Sequence, residues 1–90
     1  MHQKAKVEIY TWDNCPYCQR TIQLFESKNI KYTRYRIDGD NLAREKMSLR
    51  TNGKRSVPQV FIDNQHIGGC DDTHLLDEKG ELEKLVFENK

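Results

Sequence analysis

Ninety residues, 15 of them Lys or Arg and 14 Asp or Glu, carry a formal net charge of +1. A balance this close to zero gives no reason to expect bulk attraction to nucleic acid or a membrane surface, and no run approaches the ~20 apolar residues that span a bilayer. Leu, Ile, Val and Phe supply 20 of the 90 residues, which at low net charge argues for a folded core and against disorder.

The expectation is one domain over residues 1–90. The first residues run straight into a strand pattern without an apolar h-region, so no secretory leader is expected. Three cysteines are an odd number, which suits a reducing, cytoplasmic compartment better than a secreted disulfide framework.

In chain order, Val7, Ile9 and Thr11 alternate with Glu8 and Tyr10 and predict a first strand. From Pro16 to Lys28, Cys18, Ile22 and Phe25 fall on one helical stripe, broadened by Leu24, with Asn29 as the stop. Ile30 to Ile37 reads as a second strand with a parity slip near its middle. Asp38-Gly39 signals a turn, and Asp40 caps a helix reaching about Thr51, which Asn52-Gly53 ends. Gln59 to Ile62 is strand-like, with Pro58 at its entrance. Asp63-Asn64 predicts a hairpin into Gln65-His66-Ile67. After Gly68-Gly69, Asp71 or Asp72 is expected to cap a short helix with Leu75 and Leu76, ended by Gly80. Leu82, Leu85 and Val86 mark a last amphipathic helix. The order β-α-β-α-β-β-α implies a parallel strand pair with a right-handed crossover, a closing antiparallel hairpin, and helices on both faces of a small mixed sheet.

Chemistry concentrates at Cys15-Pro16-Tyr17-Cys18. Pro16 suits the first helical position, where its missing N–H is no loss. Residues three apart share a helix face. The pair can therefore open and close as a disulfide, with the Cys15 sulfur expected to point outward and Cys18 one turn below. Backbone N–H groups and the helix dipole at this end favour a thiolate on Cys15. Cys15 is then the attacking thiol and Cys18 the resolving one. Structural zinc needs two further ligands, and Cys70 and His66 form no compact pair. A permanent disulfide closing so short a loop would constrain the unfolded chain little. No metal is expected.

Two other segments can complete a site. Pro58 is on its own residues an ordinary trans strand-entry proline, although a cis Val57-Pro58 bond would turn the Val57 backbone outward to pair with an extended peptide. Gly68-Gly69 admits a close backbone approach, and the helix start at Cys70, Asp71 and Asp72 can hold a carboxylate or accept from an ammonium group. Plain N-capping by either aspartate is the competing account. Cys70 reads as a small packed residue, and His66 and His74 as packed or solvated.

These three segments, in this order and spacing, resemble those of the glutaredoxins, specifically short bacterial dithiol ones. The resemblance implies a thioredoxin fold with a four-stranded mixed sheet and cis Pro58. It also implies a glutathione-dependent thiol–disulfide oxidoreductase acting on protein disulfides and glutathione mixed disulfides, with glutathione as co-substrate and the chain a monomer. Cys15 and Cys18 would be catalytic. Tyr17, Arg55, Val57, Pro58, Gly69, Cys70, Asp71 and Asp72 would bind glutathione. The alternative is a carrier holding a [2Fe–2S] cluster through Cys15 and glutathione, against which the rigid Pro16 argues. One position departs from the family pattern. Relatives usually carry Lys three residues before the first cysteine, and this chain carries Trp12, so Lys54, Arg55 or Arg20 would have to supply a cation.

Overall fold

The computed structural model describes residues 2–88. Its strands are β1 (Val7–Thr11), β2 (Thr33–Arg36), β3 (Gln59–Ile62) and β4 (Gln65–Gly68), and its helices α1 (Pro16–Ser27), α2 (Asn41–Arg50), α3 (Cys70–Glu78) and α4 (Glu81–Phe87). The sheet order is β2-β1-β3-β4. The β1–β2 pair is parallel, while β1–β3 and β3–β4 are antiparallel. This is the thioredoxin architecture. The closing helical stretch is two helices, because Gly80 (φ 73°) separates α3 from α4.

Two apolar clusters sandwich the sheet. Val7, Ile9, Val60 and Ile62 pack with Phe25 of α1 and with Leu82 and Val86 of α4. On the opposite face Tyr10 and Phe61 meet Met47 of α2 and Ile37. Each fully buried large side chain contributes roughly 1.5–3 kcal/mol. All five β1 residues are buried, so the alternation along β1 separates two covered faces, not a core face and a wet one. Glu8 is tolerated there because Arg50 bonds both its carboxylate oxygens (3.0 and 3.2 Å) and the Tyr35 hydroxyl donates to it at 2.7 Å.

Some boundaries differ from the sequence reading. The second strand starts at Thr33, not Ile30. Asn29 takes a left-handed φ of 58°, and the Ile30 N–H bonds the Phe25 carbonyl at 2.9 Å, closing α1 and burying Ile30 under it. Asp40 does cap α2, its Oδ1 accepting from the Ala43 N–H at 3.0 Å. The cap of α3 is Gly69, with neither aspartate in that position. Asp63 and Asn64 make the hairpin turn, both with positive φ. Among the described residues no helix is long and apolar enough to cross a membrane.

Candidate functional site

Parallel pairing of β1 with β2 delivers the chain to the sheet's end at Thr11, and residues 12–14 turn it into α1. That turn is pinned. The Asp13 N–H donates to Asp38 Oδ2 at 2.7 Å, the Asp13 carboxylate meets Arg36 at 2.9 Å, and Asn14 adopts φ 55°. Cys15 follows as the N-cap of α1, with Pro16 in the first turn. The Cys18 N–H donates to Cys15 Sγ at 3.2 Å, so an otherwise unpartnered helix-end donor faces the sulfur. Cys15 is 6 % exposed and Cys18 1 %. The Cys15 side chain is therefore more covered than an outward-pointing thiol. Burial, reinforced by the adjacent Cys15 sulfur, pushes the Cys18 thiol up to about 12, which keeps it protonated at neutral pH. All three cysteines are free thiols.

Next to this turn lies a cleft of about 280 Å³, lined by Tyr17, by Lys54, Ser56, Val57, Pro58 and Gln59, and by residues 69–72. The Val57–Pro58 peptide is cis. Gly69 carries a specific steric requirement. A Cβ there would stand 3.3 Å from the Pro58 carbonyl, so two cleft-lining stretches of main chain pass close together. Gly68 has φ +126°, and a Cβ on it would overlap the Asp72 side chain. Asp72 Oδ2 accepts from the Gly69 N–H at 3.3 Å, so this carboxylate both orders the start of α3 and lines the cleft.

Of the predicted site residues, Tyr17, Val57, Pro58, Gly69, Cys70, Asp71 and Asp72 line this one cleft. Arg55 does not, because its guanidinium pairs with Glu45 of α2 at 3.1 Å. Lys54 is the cation that lines the cleft instead. Arg20 lies over the Tyr17 ring, 5.8 Å from its centroid. Trp12, at the position where relatives usually carry Lys, holds the Arg44 guanidinium 4.7 Å above its ring, a cation–π arrangement that brings a positive charge to this turn from α2. Ser56 and Gln59 were missed, although they directly flank the Val57-Pro58 pair that signalled the segment. Gln59 is held by its bonds to the Ser56 carbonyl (3.1 Å) and His66 (2.7 Å). Cys70 is 6 % exposed. Its carbonyl accepts from His74 Nδ1 at 2.9 Å, so that histidine is tied to α3 itself.

A covered sulfur at a helix start, a protonated partner thiol one turn on and a peptide-sized cleft beside them define a thioredoxin-fold thiol–disulfide oxidoreductase. The family model for glutaredoxins matches residues 7–67. A probable glutaredoxin of Synechocystis is 56 % identical over 86 residues, covering 96 % of this chain and 98 % of that one. Glutaredoxin 3 of Escherichia coli K12 is 49 % identical over 82 residues, 91 % and 98 % of the two chains. Among solved structures, a buckwheat glutaredoxin in complex with glutathione superposes with a TM-score of 0.85 at 28 % identity, covering 94 % of this chain and 79 % of that one. The chain belongs to the glutaredoxin family.

Proposed function

We propose that the chain reduces protein disulfides and glutathione mixed disulfides with glutathione as the electron donor. The observation that carries this reading is the cleft running from Tyr17 to the start of α3, contiguous with the dithiol turn. Glutathione is a short extended peptide with two carboxylates and one ammonium group. Val57 would pair with its backbone, Lys54 and the N-terminus of α3 would take carboxylate, and Asp71 or Asp72 would accept from the ammonium group. That the buckwheat relative was solved in complex with glutathione supports glutathione as the ligand.

In the first step the Cys15 thiolate attacks the glutathione sulfur of a mixed disulfide. The Cys15–glutathione bond forms, and the target leaves as a thiolate that takes a proton from water. A second glutathione thiolate then attacks the bound glutathione sulfur, releasing glutathione disulfide and the Cys15 thiolate. With a protein disulfide, Cys15 bonds the target first. Cys18 then loses its proton and closes on Cys15, freeing the target as a dithiol, and two glutathione molecules reopen the internal disulfide. Such cycling suits a monomer in a reducing compartment such as the cytoplasm.

The test is glutathione-coupled reduction of the mixed disulfide of glutathione and 2-mercaptoethanol. Cys15→Ser should fall to the uncatalysed rate, while Cys18→Ser keeps turnover on this substrate and loses it on a protein disulfide. A wild-type protein inactive with glutathione but active with another dithiol donor would refute the glutathione assignment.

A further inference from the structure

The glutathione cleft occupies only one flank of α1. On the other, a groove of about 540 Å³ is lined by Trp12, Gln19, Ile22, Gln23 and Arg34, with the Asp13–Arg36 pair at its edge. It shares no lining residue with the cleft. At ~100° per residue, Gln19, Ile22 and Gln23 lie roughly 140–240° around the helix from Tyr17, on the opposite side. The two depressions thus flank the dithiol turn from both directions.

The lining has the chemistry of a peptide site. Gln19 and Gln23 are exposed amides that can each donate and accept, as an extended main chain requires. Trp12 is an aromatic wall and Ile22 an apolar one. Arg36 is neutralised by Asp13. Arg34 is not, and among the described residues it makes no ion pair. Its Nε donates to Thr11 Oγ1 at 2.8 Å, which orients the side chain and leaves both terminal nitrogens for a ligand.

We propose that this groove seats a stretch of a protein substrate's polypeptide next to its disulfide, and that Arg34 selects a stretch bearing a carboxylate. The inference rests on the proposed function in assigning the opposite cleft to glutathione. A low-mass glutathione mixed disulfide has no chain to lay in the groove, so Arg34 separates protein targets from small ones.

The experiment uses the chain's single tryptophan, Trp12, as reporter. The protein is titrated at low ionic strength with two redox-inert decapeptides, each with Ser where the target cysteine would stand, one flanked by Asp and the other by Lys, while Trp12 fluorescence is followed. The acidic peptide should shift the emission saturably and the basic one should not. Arg34→Glu should weaken the acidic peptide's Kd by about tenfold, an attraction being exchanged for a repulsion, and Arg34→Lys should restore most of it. Turnover of the 2-mercaptoethanol mixed disulfide should stay within about twofold in Arg34→Glu, since that substrate never reaches the groove. Equal responses to both peptides, an unchanged Kd in Arg34→Glu, or an equal loss of small-substrate turnover would overturn the proposal. Failure of the glutathione reading would show separately, as a wild type without glutathione-coupled turnover, and the peptide titration would still decide the groove.

Discussion

Two regions of the molecule, the α2 face of the sheet and the dithiol end, are held by different chemistry. Behind the α2 face lies a closed polar knot. Glu8 is gripped by Arg50, and Arg50 also donates to the Tyr10 hydroxyl (3.0 Å) and stacks 3.9 Å above the Phe61 ring. Tyr35 closes the set through Glu8 and packs 4.8 Å from Tyr10. Every charge there is spent on another residue of the chain. At the dithiol end the Asp13–Arg36 pair pins the turn from outside, and the contacts around the sulfurs and the cleft are of backbone and small atoms: an N–H on a sulfur, a carbonyl against a glycine, a cis peptide. Of the cations near it, Arg36 is paired with Asp13, while Lys54, Arg34 and Arg44 pair with no carboxylate among the described residues. One region uses its side-chain chemistry to stay folded; the other leaves it open to partners.

The sharpest way to break that contrast is Arg50→Ala. It strands a buried carboxylate and strips the cover from Phe61, and should cost about 3–5 kcal/mol in urea unfolding. Activity per folded molecule should be unchanged. An equal loss of turnover from the folded fraction would show that the knot also shapes the site.

Gly68→Ala tests the other region. A side chain at φ +126° that also collides with Asp72 should cost about 2 kcal/mol. Here turnover should fall beyond the loss of folded protein, because Asp72 orders the cleft's edge. Matched losses in both readouts would make Gly68 a purely structural residue.

Glu8→Gln is the mildest, at about 1 kcal/mol near neutral pH, since Arg50 keeps some access to water. Its signature is in pH. Chiefly through the Arg50 hydrogen bonds, and against the opposing effect of burial, the Glu8 carboxyl lies below its ordinary value of 4.5. Its stabilisation is therefore complete above that value and disappears as pH falls through the lower folded one. Unfolding free energy measured between about pH 5 and 3 should decline less steeply in Glu8→Gln than in wild type. Parallel slopes would mean that other carboxylates dominate the acid limb.

Much of this architecture was legible because local signals agreed. Pro16 after Cys15, Asp40 before α2 and Asp63-Asn64 between β3 and β4 each carry a backbone preference that the fold obeys. What stayed hidden was pairing at a distance. Period-two alternation marks Glu8 as polar but cannot show that Arg50, 42 positions on, will cover it. Arg55 stands beside the cleft segment in sequence, yet its guanidinium follows Glu45 on α2. Trp12 read as a missing cation, and only the packing of α2 reveals that Arg44 is carried on its ring. Gly69 takes the capping position ahead of the aspartates, and the Pro58 carbonyl stands 3.3 Å from where its Cβ would be, a contact between segments that sequence alone does not display.

That approach of Gly69 to the Pro58 carbonyl has a consequence for anyone redesigning the protein. A side chain at Gly69 would press on that carbonyl, so this part of the cleft offers little room for exchange. New ligand preferences are better written on the cleft's other lining side chains, at Tyr17, Lys54 or Asp71, which leaves the close approach of the two main-chain stretches as it is.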